Sequence, residues 1–264
     1  MANKILKRLY VSLLFLVFSL NVQAKMGLQA QSECELVVRF ENFARYSNQA
    51  DTLSWHGLDV DFAKALLEEA NCRYKFVSLP WGRSIKMLES GEIGMMLSMS
   101  PTKQRERFAY FIGPQRNETI VFVTYKSRPY LLNSYQDLLT LPAPIAIHRD
   151  AVYGADIDAL LKNTPNVEER FTVITNNKLR ISMLKHGRIS GFFAEKYNML
   201  YQAENNPDYM QVEINPFVIN QEPVYIALSK QSVSPKIKDR LEEALERLKQ
   251  TGKIQKILKK YKLD

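Results

Sequence analysis

Four residues in one short stretch carry the clearest chemistry of the sequence: Ser98, Ser100, Thr102 and Arg105. Read as the carboxyl end of a strand running into a short helix, this stretch brings hydroxyls, unpaired backbone N–H groups and a guanidinium to one spot. That arrangement recognises a carboxylate. The same residues also spell a surface capping box with Arg105 and Arg107 in solvent. Aromatic residues follow other predicted strand ends, at Phe43, Tyr46, Trp55 and Trp81. They supply apolar wall for a cleft, Trp81 foremost, or pack beneath the surface. No Gly-rich phosphate loop, Gly-x-Ser-x-Gly elbow or metal-ligand motif occurs, and His56, His148 and His186 are scattered. No cofactor and no metal are expected.

Positioning these residues needs parallel strands whose carboxyl ends meet. Apolar runs at 36–40 and 74–79 flank an amphipathic stretch at 58–70, in which Phe62, Ala65, Leu66 and Ala70 share one face, so a strand, a helix and a parallel strand are predicted. The alternation continues with a helix at 85–90, a strand at 93–97, a short helix at 102–107 and a long strand at 119–125. It restarts with helices at 135–139, 155–161 and 178–185 and strands at 144–147, 170–174 and 191–194. A returning strand at 224–228 precedes helices at 235–248 and 254–261. Two successive α/β units with a leftover terminal segment predict two lobes joined by more than one crossing, and ligands bind outside the carboxyl ends of such strands.

The start of the chain bears on its compartment. Lys4, Lys7 and Arg8 precede an uncharged apolar run at 13–20, and Val22-Gln23-Ala24 places small residues at a cleavage site, so residues 1–24 are predicted to be a cleaved signal peptide. The run is shorter than the roughly 20 residues a spanning helix needs. The net charge of +8 falls to +5 once those three basic residues are set aside. The remaining basic residues crowd the C-terminus, interleaved with Leu248, Ile254, Ile257 and Leu258 at helical spacing, which reads as the solvated face of an amphipathic helix rather than a nucleic-acid surface. Cys34 and Cys72 each stand just before a predicted strand of one βαβ unit. An oxidising compartment and adjacent parallel strand starts both favour a disulfide between them.

Several segments together resemble the family 3 bacterial extracellular solute-binding proteins, over nearly all of the chain beyond the signal. They are Gly57-Leu58-Asp59-Val60-Asp61, Pro80-Trp81-Gly82-Arg83, the stretch from Ser98 to Arg105, the loop from Arg149 to Gly154, Gly187-Arg188-Ile189-Ser190 and the closing helix. The resemblance implies an α/β, two-lobed periplasmic binding protein-like fold of type II, each lobe a mostly parallel sheet flanked by helices. Lobe 1 would take residues 25–126 plus 227–264 and lobe 2 residues 127–226, with two hinge crossings and closure around ligand.

By the same resemblance Arg105 would grip a ligand carboxylate, aided by Ser98, Ser100 and Thr102. Glu195 stands where many amino-acid receptors of the family place an aspartate against the ligand's ammonium, and it also reads as a helix-capping acid. The loop resembles that of a subgroup in which Arg149 and Tyr153 become candidate contacts, and Trp81 and Phe43 would be aromatic walls. The implied function is a monomeric periplasmic binding protein that captures an amino acid or organic acid for an ABC permease or a membrane receptor. The alternative implied by the resemblance is an enzyme similar to cyclohexadienyl dehydratases, with Glu195 as general acid.

Overall fold

The computed structural model describes residues 34–49 and 54–263, so the signal segment lies outside the described residues. Its first unit is β1 (Glu35–Phe40), α1 (Leu58–Glu69) and β4 (Arg73–Ser78), with a small hairpin of β2 (Asn48–Gln49) and β3 (Trp55–His56) inserted before the helix. The hairpin was not legible as a period-two pattern. β1 and β4 pair in parallel from Glu35 against Arg73 to Phe40 against Ser78. Gly57 opens α1 at φ 130°, and a Cβ there would lie 2.4 Å from the Tyr46 carbonyl oxygen. Only glycine fits this close approach, which pins the loop carrying Tyr46 to the first turn of α1.

α2 (Trp81–Ser90) leads to β5 (Met95–Met99), which lies beside β1. The expected helix at 102–107 is only a 3-10 turn, Arg105–Arg107: the Thr102 hydroxyl accepts from the Arg105 N–H at 3.1 Å, and Phe108 then turns into the core. The chain next enters β6 (Ala109–Tyr125), whose first half the sequence hid behind Gly113-Pro114 and the polar run from Gln115 to Glu118. It pairs antiparallel with β10 (Val212–Ser229), from Ala109 against Ser229 to Tyr125 against Val212, with register shifts on the way. β10 likewise extends well ahead of the predicted 224–228.

Between those two strands lie β7 (Ile145–Ile147), α3 (Ala155–Asn163), β8 (Phe171–Val173), α4 (Asn177–Lys185), β9 (Gly191–Glu195) and α5 (Lys196–Asn205). The helix expected at 135–139 is a 3-10 segment, Tyr135–Thr140, closed by a capping box between Ser134 and Asp137. α5 was not anticipated. The sheet order is β4-β1-β5-β10-β6-β9-β7-β8, with parallel strands at both ends and the antiparallel β10–β6 pair between them. Alternation along β6 sends Ile120 and Phe122 to one apolar cluster and Val121 and Val123 to another on the opposite face.

α6 (Pro235–Gln250) and α7 (Lys253–Lys260) close the chain against α1. Ser234 caps α6 and Pro235 occupies its first turn, as helix starts favour. The basic side chains predicted to be solvated are partly used: Lys260 pairs with Asp61 at 2.6 Å and Lys249 with Glu246 at 2.7 Å. No helix among the described residues is long and apolar enough to cross a membrane.

Cys34 and Cys72 are disulfide-bonded at the starts of β1 and β4, where the sequence placed them. In the chain-entropy account, closing a loop of this length stabilises the fold by about 3 to 4 kcal/mol. Reduction should therefore lower the melting temperature under otherwise identical conditions. An unchanged melting curve after complete reduction, verified by thiol titration, would contradict this.

Candidate functional site

The carboxyl ends of β1, β5 and β9 border a cavity of about 240 Å³. At its base lies a network of buried charge. Ser98 sits at φ 54°, a left-handed conformation unusual for serine, because three partners hold it. Its N–H donates to Gln115 Oε1 at 2.8 Å, its hydroxyl donates to Asp59 Oδ2 at 2.9 Å, and it accepts from Arg116 Nη2 at 3.3 Å. Gln115 Nε2 also donates to Asp59, at 2.7 Å. Burial raises the Asp59 pKa, opposed by Arg116 and by the hydrogen bonds from Ser98 and Gln115.

The Arg116 guanidinium lies 4.3 Å from the ring centre of Tyr46 and 3.3 Å from Glu118 Oε1. Burial opposes its charge, and Tyr46, Glu118 and Asp59 more than offset that. Glu118 is in the converse position. Burial pushes its carboxyl up to about 7, Arg116 pulls it down, and Glu195 pushes it up again.

Arg105 is buried, and two of its five N–H donors are engaged with backbone: Nη1 with the Ser100 carbonyl at 2.8 Å and Nη2 with the Asp150 carbonyl at 2.7 Å. Trp81 donates weakly to the same Asp150 carbonyl, at 3.3 Å, and its ring lies between two guanidiniums, Arg39 at 5.3 Å and Arg105 at 5.9 Å. Arg39 is itself paired with Glu41 at 2.6 Å. Asp150 does not cap α3, whose N-cap is Gly154 without a side-chain bond.

On the far wall Glu195 fills the capping role open to it. Its Oε2 caps α5 by accepting from the Asn198 N–H at 2.7 Å; its Oε1 makes no well-formed hydrogen bond among the described residues, although Glu195 faces the buried Tyr46 hydroxyl and raises its pKa. Asn198 Oδ1 likewise makes no hydrogen bond among the described residues. Two buried acceptors at one wall leave room for a donor from an occupant of the cavity beside the Tyr46 hydroxyl.

A sequence profile of the bacterial extracellular solute-binding proteins, family 3, matches residues 36–264. The chain belongs to this family. Among solved structures it is similar to an ancestral arginine-binding protein bound to glutamine, at 21% identity and a TM-score of 0.74, covering 89% of this chain and 100% of that one. It is also similar to the arginine-, lysine-, histidine-binding protein ArtJ from Geobacillus stearothermophilus, at 20% identity and a TM-score of 0.70, covering 87% and 95%. A histidine kinase sensor domain with similarity to periplasmic binding proteins aligns at 17% identity and a TM-score of 0.73, covering 87% and 96%. These likenesses establish the type II periplasmic binding fold. No curated protein sequence matches significantly.

For this solute-binding protein the cavity gathers Arg105, Ser98 and Ser100 with Trp81 and Phe43, and from the far wall Glu195 and Tyr153. Phe43 stacks on Tyr46 at 5.3 Å. Tyr153 is largely committed to structure: its hydroxyl accepts from the His148 N–H at 2.7 Å, and its ring packs on Phe193 at 5.0 Å. Two candidates are not brought in. Thr102 serves the turn beneath Arg105, and Arg149 points into solvent. No group of three or more His, Cys, Asp and Glu able to hold a metal occurs among the described residues.

Asp59, Gln115, Arg116, Glu118 and Arg180 were missed. Asp59 lies within a motif singled out only for its resemblance, and the run from Gln115 to Glu118 has no apolar residue to signal a strand. Arg180 is buried with Ile181 and Leu184 on one face of α4, so a charge in apolar phase was its available signal.

The raised pKa of Glu118 has a defined sign. The folded protein holds this proton more tightly than the unfolded chain, so the associated stability is complete at low pH and is lost as pH rises through about 7. Carbon-13 NMR of labelled glutamate carboxyls, assigned with Glu118→Gln, should show one midpoint near neutrality. A midpoint in the ordinary carboxylate range would contradict the buried cluster.

Proposed function

We propose that the cavity captures a small amino-acid-like solute and presents it to a membrane partner, an ABC permease or a membrane receptor. The observation that carries this reading is the pairing of unlike walls: Arg105 with three further N–H donors on one side, and the buried Glu195 Oε1, without a well-formed hydrogen bond, on the other. A zwitterion satisfies both, its carboxylate on the guanidinium and its ammonium on the carboxylate. The volume of about 240 Å³ is below the roughly 300 to 1,000 Å³ usual for drug-sized ligands, in keeping with a single small molecule. The solved relatives named for amino acids support the same class.

Capture of this kind works by closure. The lobes expected at 25–126 plus 227–264 and at 127–226 would hinge on β6 and β10, which run from one parallel group to the other. The bond from Arg105 to the Asp150 carbonyl would then be a contact that ligand exchanges for its own carboxylate. In this reading the protein is exported, works as a monomer and catalyses nothing.

A second reading rests on Glu118. A carboxyl that burial raises to about 7, lining the cavity together with Glu195, is suited to general-acid chemistry, here of the cyclohexadienyl dehydratase type. Incubation with prephenate and arogenate separates the readings: release of phenylpyruvate or phenylalanine would establish the enzyme, and its absence leaves binding.

A thermal-shift screen over L-amino acids should find at least one that raises the melting temperature of the protein, because a ligand bound only by the folded state stabilises it. With that amino acid, Arg105→Ala should weaken calorimetric binding by more than tenfold, about 2 to 5 kcal/mol. Because Arg105 is buried and satisfies two carbonyls, the same variant should also melt somewhat lower. Undiminished affinity in Arg105→Ala would move the carboxylate site elsewhere.

A further inference from the structure

Arg180 is the charge on the cavity wall that a simple zwitterion leaves unmatched. It lies in the first turn of α4, is 7% exposed, and lines the cavity together with Thr175 and Asn177. Its Nη2 donates to Asn177 Oδ1 at 2.5 Å, and its guanidinium rests 4.6 Å from the ring centre of Phe192. Its Nε is buried without a partner, and no carboxylate forms an ion pair with it among the described residues. Burial lowers its pKa, and only the phenols of Tyr209 and Tyr153 draw it back. A guanidinium buried without a counter-ion is strongly unfavourable unless an anion arrives.

The surroundings point the same way. Arg39 pairs with Glu41, Arg116 faces Glu118, Asp59 and Glu195, and Arg105 feels Asp150 and Glu118, so Arg180 is the guanidinium on this cavity that no carboxylate offsets. The N-terminus of α4 adds to the positive wall: the Asn176 side chain takes the Leu179 N–H, while those of Asn177 and Lys178 have no intrahelical acceptor.

We infer that the solute carries a second anionic group besides the carboxylate at Arg105, placing it in the class of acidic amino acids, with the side-chain carboxylate against Arg180 and the start of α4. This rests on the amino-acid reading of the same cavity. The ammonium then lies against Glu195 Oε1 and Asn198 Oδ1, and each orphaned polar atom named on this wall acquires a partner of the right polarity. A basic amino acid would instead carry its cation toward a buried cation.

The test is calorimetry on the purified full chain with L-glutamate, L-aspartate, L-glutamine, L-asparagine and L-arginine, comparing wild type, Arg180→Gln, Arg180→Lys and the exposed control Arg107→Ala. At least one dicarboxylate should bind about tenfold or more tighter than its own amide and than arginine. Arg180→Gln should abolish that preference while changing affinity for the amide by less than about threefold, since the amide never met the charge. Arg180→Lys should restore part of it, and Arg107→Ala should match wild type. Removing a buried charge without a counter-ion should also leave the ligand-free melting temperature of Arg180→Gln no lower than wild type. Tighter binding of an amide or of arginine by wild type, or a preference intact in Arg180→Gln, overturns the inference and leaves the amino-acid reading standing. Binding of none of the five, with another amino acid positive in the thermal screen, overturns the inference alone. No binding of any amino acid overturns both. If Arg180→Gln fails to fold, Arg180→Lys decides, and an unreduced dicarboxylate preference there overturns the inference.

Discussion

The antiparallel pairing of β6 with β10 is the constraint on which the rest of this structure depends. These strands of 17 and 18 residues occupy the centre of the eight-stranded order, so each parallel group is anchored to one of them: β5 to β10, and β9 to β6. Long ladders of this kind are closed only after distant parts of the chain have met. Once closed, they bring Gln115, Arg116 and Glu118 from the middle of β6 beneath Ser98 at the end of β5.

That placement explains the buried charge. Asp59 and Arg116 are expensive to dehydrate one at a time, and the fold buries them together beside the half-buried Glu118, with Ser98, Gln115 and Tyr46 supplying hydrogen bonds and an aromatic face. The network holds Ser98 in a left-handed conformation at the rim of the cavity. Glu118 is the member least well compensated, which is why its proton is retained toward neutral pH.

Buried polar atoms without a hydrogen bond occur on both sides of the cavity among the described residues, in Tyr46 and Arg116 and, opposite them, in Glu195, Asn198 and Arg180. Native interiors rarely tolerate such groups, and their gathering at one cavity supports the reading of it as a binding site.

How much of this was legible from residue order follows from the range of each interaction. The βαβ units, the disulfide, the capped helix at Pro235 and the cluster from Ser98 to Arg105 depend on neighbours a few residues apart or on regular periodicities, and all could be read directly. The family resemblance extended that to the fold. What the tertiary structure alone decided was which polar residues share an environment. Asp59 meets Gln115 across 56 positions and Arg105 meets Asp150 across 45, and nothing in spacing or composition encodes such meetings. The same holds for exclusion: Thr102 and Arg149 have suitable chemistry, yet a turn claims one and solvent the other. Residue order determined the elements and their chemistry. Burial, which no single residue carries by itself, decided which of those charges would be left needing a ligand.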